Sequence, residues 1–435
     1  MEPPLSRPEI IASWNDRYFG GTLPETFRDS LAELPTERQD VVDFLEHFFK
    51  LMHHGRFVST DVSPMQCTVL GSLLSRILPG AWLGRIPPIT VGGRHVLIDE
   101  YVLRNKWRDA TPGLFLDIGC GFPPVTTLDS VAALQGWQVL AADPSMPAHV
   151  VYDAEGNYAT FDTQGEMVYF QPAAPTVETW NALAEDATAT EANFRRLLDR
   201  LLPDLGDGAE VTSDGARLVH PMRLYSSASL SFQTAGIGDV QVQDVDVARC
   251  FNVLYYLDAT FRRRTMQWFE QVLTEGGLLL IGGDWAHTSE ARYSVYQKVD
   301  GHLVTREFAF SLDNLCPASI VSWFCLVDDD FETLLLADLV RELRSDAAFL
   351  QRLNSVNDRL REQHDFAPRG ADGFYSEMDP SLGASEIWGR AGAVASDLNE
   401  ELAEEAVAVL KAGGHEAWVN DLGHVAVMPT GVASQ

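Results

Sequence analysis

The chain has 435 residues, 46% apolar and 22% charged, which exceeds what one ordinary domain needs and excludes a disordered protein. Its 62 acidic residues against 32 basic ones give a formal charge of −30, a field that repels phosphate backbones and makes nucleic acid a poor partner. No apolar run approaches the roughly 18 residues of a membrane span, MEPPLSRPEI is no signal peptide, and the 5 cysteines form no C-x-x-C pair, so a cytoplasmic protein with reduced thiols, no membrane contact and no structural metal is expected.

Residues 1–110 read as an N-terminal helical cap region. Apolar residues recur at helical spacing in VVDFLEHFFKLM (41–52) and CTVLGSLLSRIL (67–78). His53 and His54 are adjacent on the first of these helices and point in different directions, which makes them a poor metal pair. From 111 to 290 apolar strands alternate with helices, the pattern of an α/β core. An insertion at 146–228 interrupts it, with hairpin turns expected at DAEGN (153–157), DTQGE (162–166) and TSDGA (212–216) and a helix at 191–202. Residues 291–435 hold the strands SVYQK and EFAFS, helices between about 330 and 411, and a final hairpin in HEAWVNDLGHVAVMP. These complete the sheet.

The chemistry concentrates in LFLDIGCGFPPVTTLDSVAALQGWQVLAADPS, Leu114–Ser145. Asp117 ends a buried strand, and Gly119 and Gly121 follow where a missing Cβ lets a ligand approach the backbone. A dinucleotide would set its pyrophosphate against this turn and would favour a third glycine where Pro124 stands. S-adenosylmethionine (SAM) instead brings a cationic amino group and sulfonium, which the Asp117 carboxylate suits. Pro123 and Pro124 fit a first helical turn. The second strand ends at Asp143, 22 residues after Gly121, the spacing at which a carboxylate accepts both ribose hydroxyls. Cys120 reads as a small packing residue and not a nucleophile.

These residues resemble the first motif of the class I SAM-dependent methyltransferases, with LDIGCGFPP carrying proline in place of the third glycine. The resemblance implies a Rossmann-like core, a mostly parallel sheet of seven strands with the last antiparallel, and S-adenosyl-L-methionine as cofactor. It implies that Asp117, Gly119, Cys120 and Gly121 line the methionine part and that Asp143, with Pro144 beside it, holds the ribose. Gly238 and Asp239 fall where the family contacts adenine. CFNVLYYLD is similar to a strand end of chemoreceptor glutamate methyltransferases, which implies a pocket role for Asn252, against the plain alternative of a backbone-bonded asparagine.

Methyl transfer needs the acceptor held in line and water excluded, with a base only for acceptors that must lose a proton. Tyr255 and Tyr256 after the fourth strand, and Asp284 and His287 after the fifth, are the candidates for a base; each also fits a pocket wall or cap. His220 belongs to the insertion as part of a lid. Aromatic residues in the caps (Trp14, Phe48, Phe49, Tyr158, Phe161, Tyr169, Phe170) favour an apolar or aromatic small-molecule acceptor of the natural-product type, unless they are simply core. Methylation of a protein carboxylate, a non-catalytic SAM-binding regulator and a dinucleotide-dependent dehydrogenase are the alternatives. A homodimer stays open.

Overall fold

The computed structural model describes residues 5–32, 39–62, 92–105, 113–173, 186–254, 257–284, 291–316, 331–376, 379, 381–382 and 384–429. The helix expected at 67–78 lies outside them. The chain forms two compact units: a smaller one of Gly71–Gly92 with Ala110–Arg249, and a larger one of Met1–Leu70, Gly93–Asp109 and Cys250–Gln435. One boundary of this division, between Asp109 and Ala110, lies beside the border expected at 110, and another falls between Arg249 and Cys250. The N-terminal helices are tied to the C-terminal ones, as in the 2.8 Å bond of His54 to Asp338 and the 2.5 Å pair of Arg344 with Asp61.

In the smaller unit the apolar run LFLDI forms β1 (Leu114–Ile118), followed by helix α5 (Val125–Ala133) and β2 (Gln138–Ala142). The helices before it are α1 (Arg7–Phe19), α2 (Glu25–Ala32), α3 (Gln39–His54) and α4 (Val96–Arg104). β1 and β2 pair in parallel from Leu114 opposite Gln138 to Ile118 opposite Ala142. Strand β8 (Leu230–Gln233) pairs in parallel with β2, and β9 (Val245–Phe251) begins on the other side of β1, giving the order β8-β2-β1-β9. Strands buried on both faces read as continuous apolar runs, which is why this part was legible.

The insertion forms its own antiparallel sheet, in the order β5-β4-β3-β7-β6. Its strands are β3 (His149–Tyr152), β4 (Tyr158–Phe161), β5 (Met167–Gln171), β6 (Glu210–Ser213) and β7 (Ala216–Val219), with α6 (Ala187–Leu205) between β5 and β6. Both of its first two turns use one device: the Asp153 carboxylate accepts the N–H of Asn157 at 2.9 Å, and Asp162 accepts that of Glu166 at 2.8 Å. Phe161, Tyr169 and Phe170 pack against Phe194, Leu198 and Leu201 of α6. In the larger unit Trp14 and Phe48 pack on Phe49, with ring centroids 5.7 and 5.5 Å apart. These aromatics are core, so they do not argue for an apolar acceptor; periodicity alone cannot separate a ring that faces the interior from one that faces a ligand.

The larger unit takes the end of β9 and then β10 (Leu273–Gly283), β11 (Arg292–Val299), β12 (His302–Phe310), β14 (Val425–Val427) and β13 (Ala417–Val419), in that spatial order. Helix α7 (Pro221–Tyr225) precedes β8 in the smaller unit; in the larger one α8 (Ala259–Val272) precedes β10, and α9 (Phe331–Leu343), α10 (Ala347–Gln363) and α11 (Ala384–Ala412) separate β12 from β13. The expectation of seven strands with one antiparallel is corrected: among the described residues this order contains nine, and β10/β11, β11/β12, β12/β14 and β13/β14 are all antiparallel. The cause is local. Asp300 and Gly301 both take positive φ, 52° and 84°, the requirement of a two-residue hairpin, and they fold β12 directly back on β11.

Candidate functional site

Gly119 and Gly121 adopt left-handed φ of 77° and 67°, which residues with a Cβ rarely take, so the turn after β1 needs glycine at both positions. Gly119 N–H donates to the Ala142 carbonyl at 2.8 Å, locking the turn to the end of β2. Helix α5 starts only at Val125, with Pro124 as its cap residue. The two prolines therefore precede the helix and do not occupy its first turn.

Asp143 is buried at the end of β2, and its two carboxylate oxygens accept backbone N–H groups, from Gly121 at 3.0 Å and Ser145 at 2.7 Å. Burial pushes its carboxyl up, and those two N–H bonds pull the other way. Each oxygen retains a further lone pair, so the group can accept two more hydrogens. Pro144 beside it is exposed. Cys120 is buried, and burial pushes its thiol well above the usual range, as a packing residue requires.

Asp117 departs from expectation. Its carboxylate faces the interior of the unit, where Thr127 Oγ1 donates at 2.6 Å and Arg249 donates through Nε at 3.1 Å and Nη2 at 2.9 Å. The two residues are 4% and 0% exposed. Arg249 thus neutralises the charge that was expected to meet a cationic ligand. Sequence reasoning missed Arg249, although an arginine inside the apolar strand VDVARCF is itself a signal, because a fully buried guanidinium requires a partner.

Gly238 has φ 94° and is exposed, as is Asp239, whose N–H closes a turn on Gly236 at 3.0 Å. The Gln233 side chain holds this loop, donating to the Gln241 carbonyl at 3.0 Å and accepting its N–H at 2.9 Å. Since the Gln233 carbonyl also accepts from Asp143 N–H at 3.3 Å, the loop is anchored to the strand end beside Asp143. The insertion reaches the same region: Tyr158 of β4 sets its ring edge to face against Phe122, centroids 6.2 Å apart. His220 lies at the base of the insertion, its ring 5.5 Å from that of His149, and burial pulls both imidazoles down.

Asn252 belongs to the larger unit. It has φ 59°, donates through Nδ2 to Asp284 Oδ1 at 3.1 Å and accepts the Asp284 N–H at 3.2 Å. Asp284, 2% exposed, also binds His95 Nδ1 at 2.8 Å and lies 3.6 Å from Arg94 Nε. Arg94 and His95 were not found from sequence, which separates them from Asp284 by about 190 positions and leaves no local pattern. Tyr255, Tyr256 and His287 lie outside the described residues.

His424 in this unit is buried against Tyr293, Nδ1 3.2 Å from the phenol oxygen, and burial pulls its pKa from 6.5 to about 4. The folded state therefore keeps the ring neutral where the unfolded chain would protonate it. That contribution is whole above pH 6.5 and is lost as pH falls towards 4, by about 1.4 kcal/mol per pH unit and about 3 kcal/mol in all. His424→Gln is expected to flatten the acid limb of the stability profile measured by urea unfolding between these limits; an unchanged slope would show that the ring does not carry it.

No family model matches the chain and no curated protein matches it. Solved structures similar to it include geranyl diphosphate C-methyltransferase from Streptomyces coelicolor A3(2), in complex with geranyl diphosphate and S-adenosyl-L-homocysteine, at 11% identity over 44% of this chain and 46% of that one, TM-score 0.21. Others are an S-adenosylmethionine-dependent methyltransferase from Clostridium acetobutylicum, at 10% identity over 56% and 73%, TM-score 0.23, and phosphoethanolamine N-methyltransferase 2 of Haemonchus contortus, at 9% identity over 74% and 52%, TM-score 0.25. The match spans less than half the length of the first of these. Strand pairing, the two left-handed glycines and the carboxylate at the end of β2 are features of the chain itself, and together they describe an α/β protein with a Rossmann-like glycine turn.

Proposed function

We infer that the chain is a SAM-dependent methyltransferase acting on a small-molecule acceptor. The observation that carries this reading is Asp143: a buried carboxylate at the end of the second strand, oriented by two backbone N–H groups and with lone pairs left for a pair of ribose hydroxyls. Pro123 and Pro124 supply no N–H at the point where a pyrophosphate would need donors, which disfavours a dinucleotide. With Asp117 neutralised by Arg249, discrimination rests on this lack of donors and not on a free carboxylate.

When bound, SAM supplies an activated methyl group. The chain's own residues then have three tasks. Asp143 fixes the ribose, Gly119 and Gly121 let the ligand approach the backbone, and Gly238 and Asp239 line the adenine side of the loop held by Gln233. The insertion supports the acceptor. Tyr158 and Tyr152 are half-buried, with rings 5.4 Å apart, and Tyr158 touches the residue next to the glycine turn. An apolar or aromatic part of a small acceptor would pack on this wall, a role that the core aromatics Phe161 and Phe170 cannot take.

SAM and S-adenosylhomocysteine are expected to raise the melting temperature in a concentration-dependent way, and NAD to leave it unchanged. Differential scanning fluorimetry checks this; stabilisation by NAD alone would overturn the reading.

A further inference from the structure

We propose that Arg361 of α10 is the centre of a binding site for a small oxyanion, a carboxylate or phosphate group, in the larger unit. The glycine turn belongs to the smaller unit, and the proposal does not depend on methyl transfer.

Arg361 is 7% exposed. Its guanidinium carbon lies 4.8 Å from the ring centroid of Phe366 and 4.2 Å from that of Tyr375, and its Nε is enclosed with no hydrogen-bond partner. Among the described residues no carboxylate stands within ion-pair distance of it. Its two arginine neighbours differ in this respect. Arg344 pairs with Asp61 at 2.5 Å. Arg369 donates through Nε to both oxygens of Asp358 at 3.0 Å and also binds the carbonyls of Thr60 and Gly373.

Asp358 attracts the guanidinium from beyond ion-pair distance, and the two other acidic groups near Arg361 carry no charge. Burial pushes the Cys316 thiol up to about 12, and it pushes the Tyr375 phenol up as well, so both stay protonated near neutral pH. Tyr375 donates its hydroxyl to Asp358 at 2.9 Å, so that carboxylate is already held by two donors. The rings stacked on Arg361 offset part of the cost of removing a cation from water, but less than a counter-ion would. In a chain of net charge −30, a buried guanidinium with no acid within ion-pair distance among the described residues lacks a close partner that the protein has in surplus elsewhere. A ligand supplies the missing charge, and the planar fork of arginine matches two oxygens of a carboxylate or phosphate. The slight exposure of the site limits it to a small ion or the acidic end of a larger molecule.

The test uses the full chain, with sodium phosphate and sodium acetate titrated separately against sodium chloride at matched ionic strength. Phosphate or acetate is expected to give a saturable rise of a few degrees in melting temperature that Arg361→Gln abolishes, and the anion that responds tells phosphate from carboxylate. In chloride alone Arg361→Leu should be at least as stable as the wild type, since it removes an unpaired buried charge; a purely packing role predicts a loss instead. Should either variant fail to fold, the wild type still decides, because phosphate bound at the site broadens its phosphorus resonance and acetate its methyl resonance. No response to either anion, or an equal response in Arg361→Gln, would overturn the proposal.

Discussion

Arg249→Ala is expected to destabilise the protein by about 3–5 kcal/mol, the range for breaking a buried ion pair by removing one partner. The loss arises because the Asp117 carboxylate, 4% exposed, would keep only Thr127 as its side-chain donor among the described residues, and a buried charge without a counter-ion costs more than the pair contributed. A cavity would remain beside Phe115, whose ring centroid lies 5.3 Å from the guanidinium carbon. The paired replacement Asp117→Leu with Arg249→Met should recover most of the stability, since two apolar side chains of similar volume need no compensation. Urea unfolding of the two single variants and the double one checks this as a cycle. A single variant that costs less than about 1 kcal/mol would show that water reaches the pair.

Asp143→Ala is expected to weaken binding of SAM and S-adenosylhomocysteine by about two to four orders of magnitude. Two hydrogen bonds to a charged acceptor are lost, each worth about 1.5–3 kcal/mol, and each 1.4 kcal/mol is tenfold in affinity. The substitution also frees the N–H groups of Gly121 and Ser145, so part of the loss would come from a looser turn. Asp143→Asn separates the two effects: its amide oxygen still accepts an N–H, while the charge is gone, and it should bind more tightly than the alanine variant. Isothermal titration with S-adenosylhomocysteine gives the constants. An unchanged dissociation constant in Asp143→Ala would place the ribose elsewhere.

Features held together by neighbouring residues were legible in the sequence. The turn of Gly119 and Gly121, the strands on either side of it and the hairpins opened by Asp153 and Asp162 all follow from local rules about φ and side-chain acceptors. Features assembled from distant segments were not. Asp117 was read as a ligand for a cation because its partner, Arg249, stands 132 positions later. The network of Arg94, His95 and Asp284 has the same cause. The aromatic residues of the insertion were ambiguous, since Phe161 and Tyr158 lie in one four-residue strand but only the first is fully buried. The hairpin at Asp300 and Gly301 was available as a D-G dipeptide between alternating residues and was not used to set the strand order.

The chain enters the inserted sheet on β3 and leaves it on β7, and these strands are hydrogen-bonded partners, with Val150 opposite Val219 and Tyr152 opposite Arg217. Entry and exit are therefore about 5 Å apart, the spacing of adjacent strands. A segment whose ends meet in this way can lengthen, shorten or be exchanged without moving its points of attachment, because the parent strands sense only where the two ends are held. Selection can thus act on the wall formed by Tyr152 and Tyr158 separately from Asp143 and the glycine turn. Grafting a sheet from another protein between the same two attachment points would then be a practical route to altered acceptor preference.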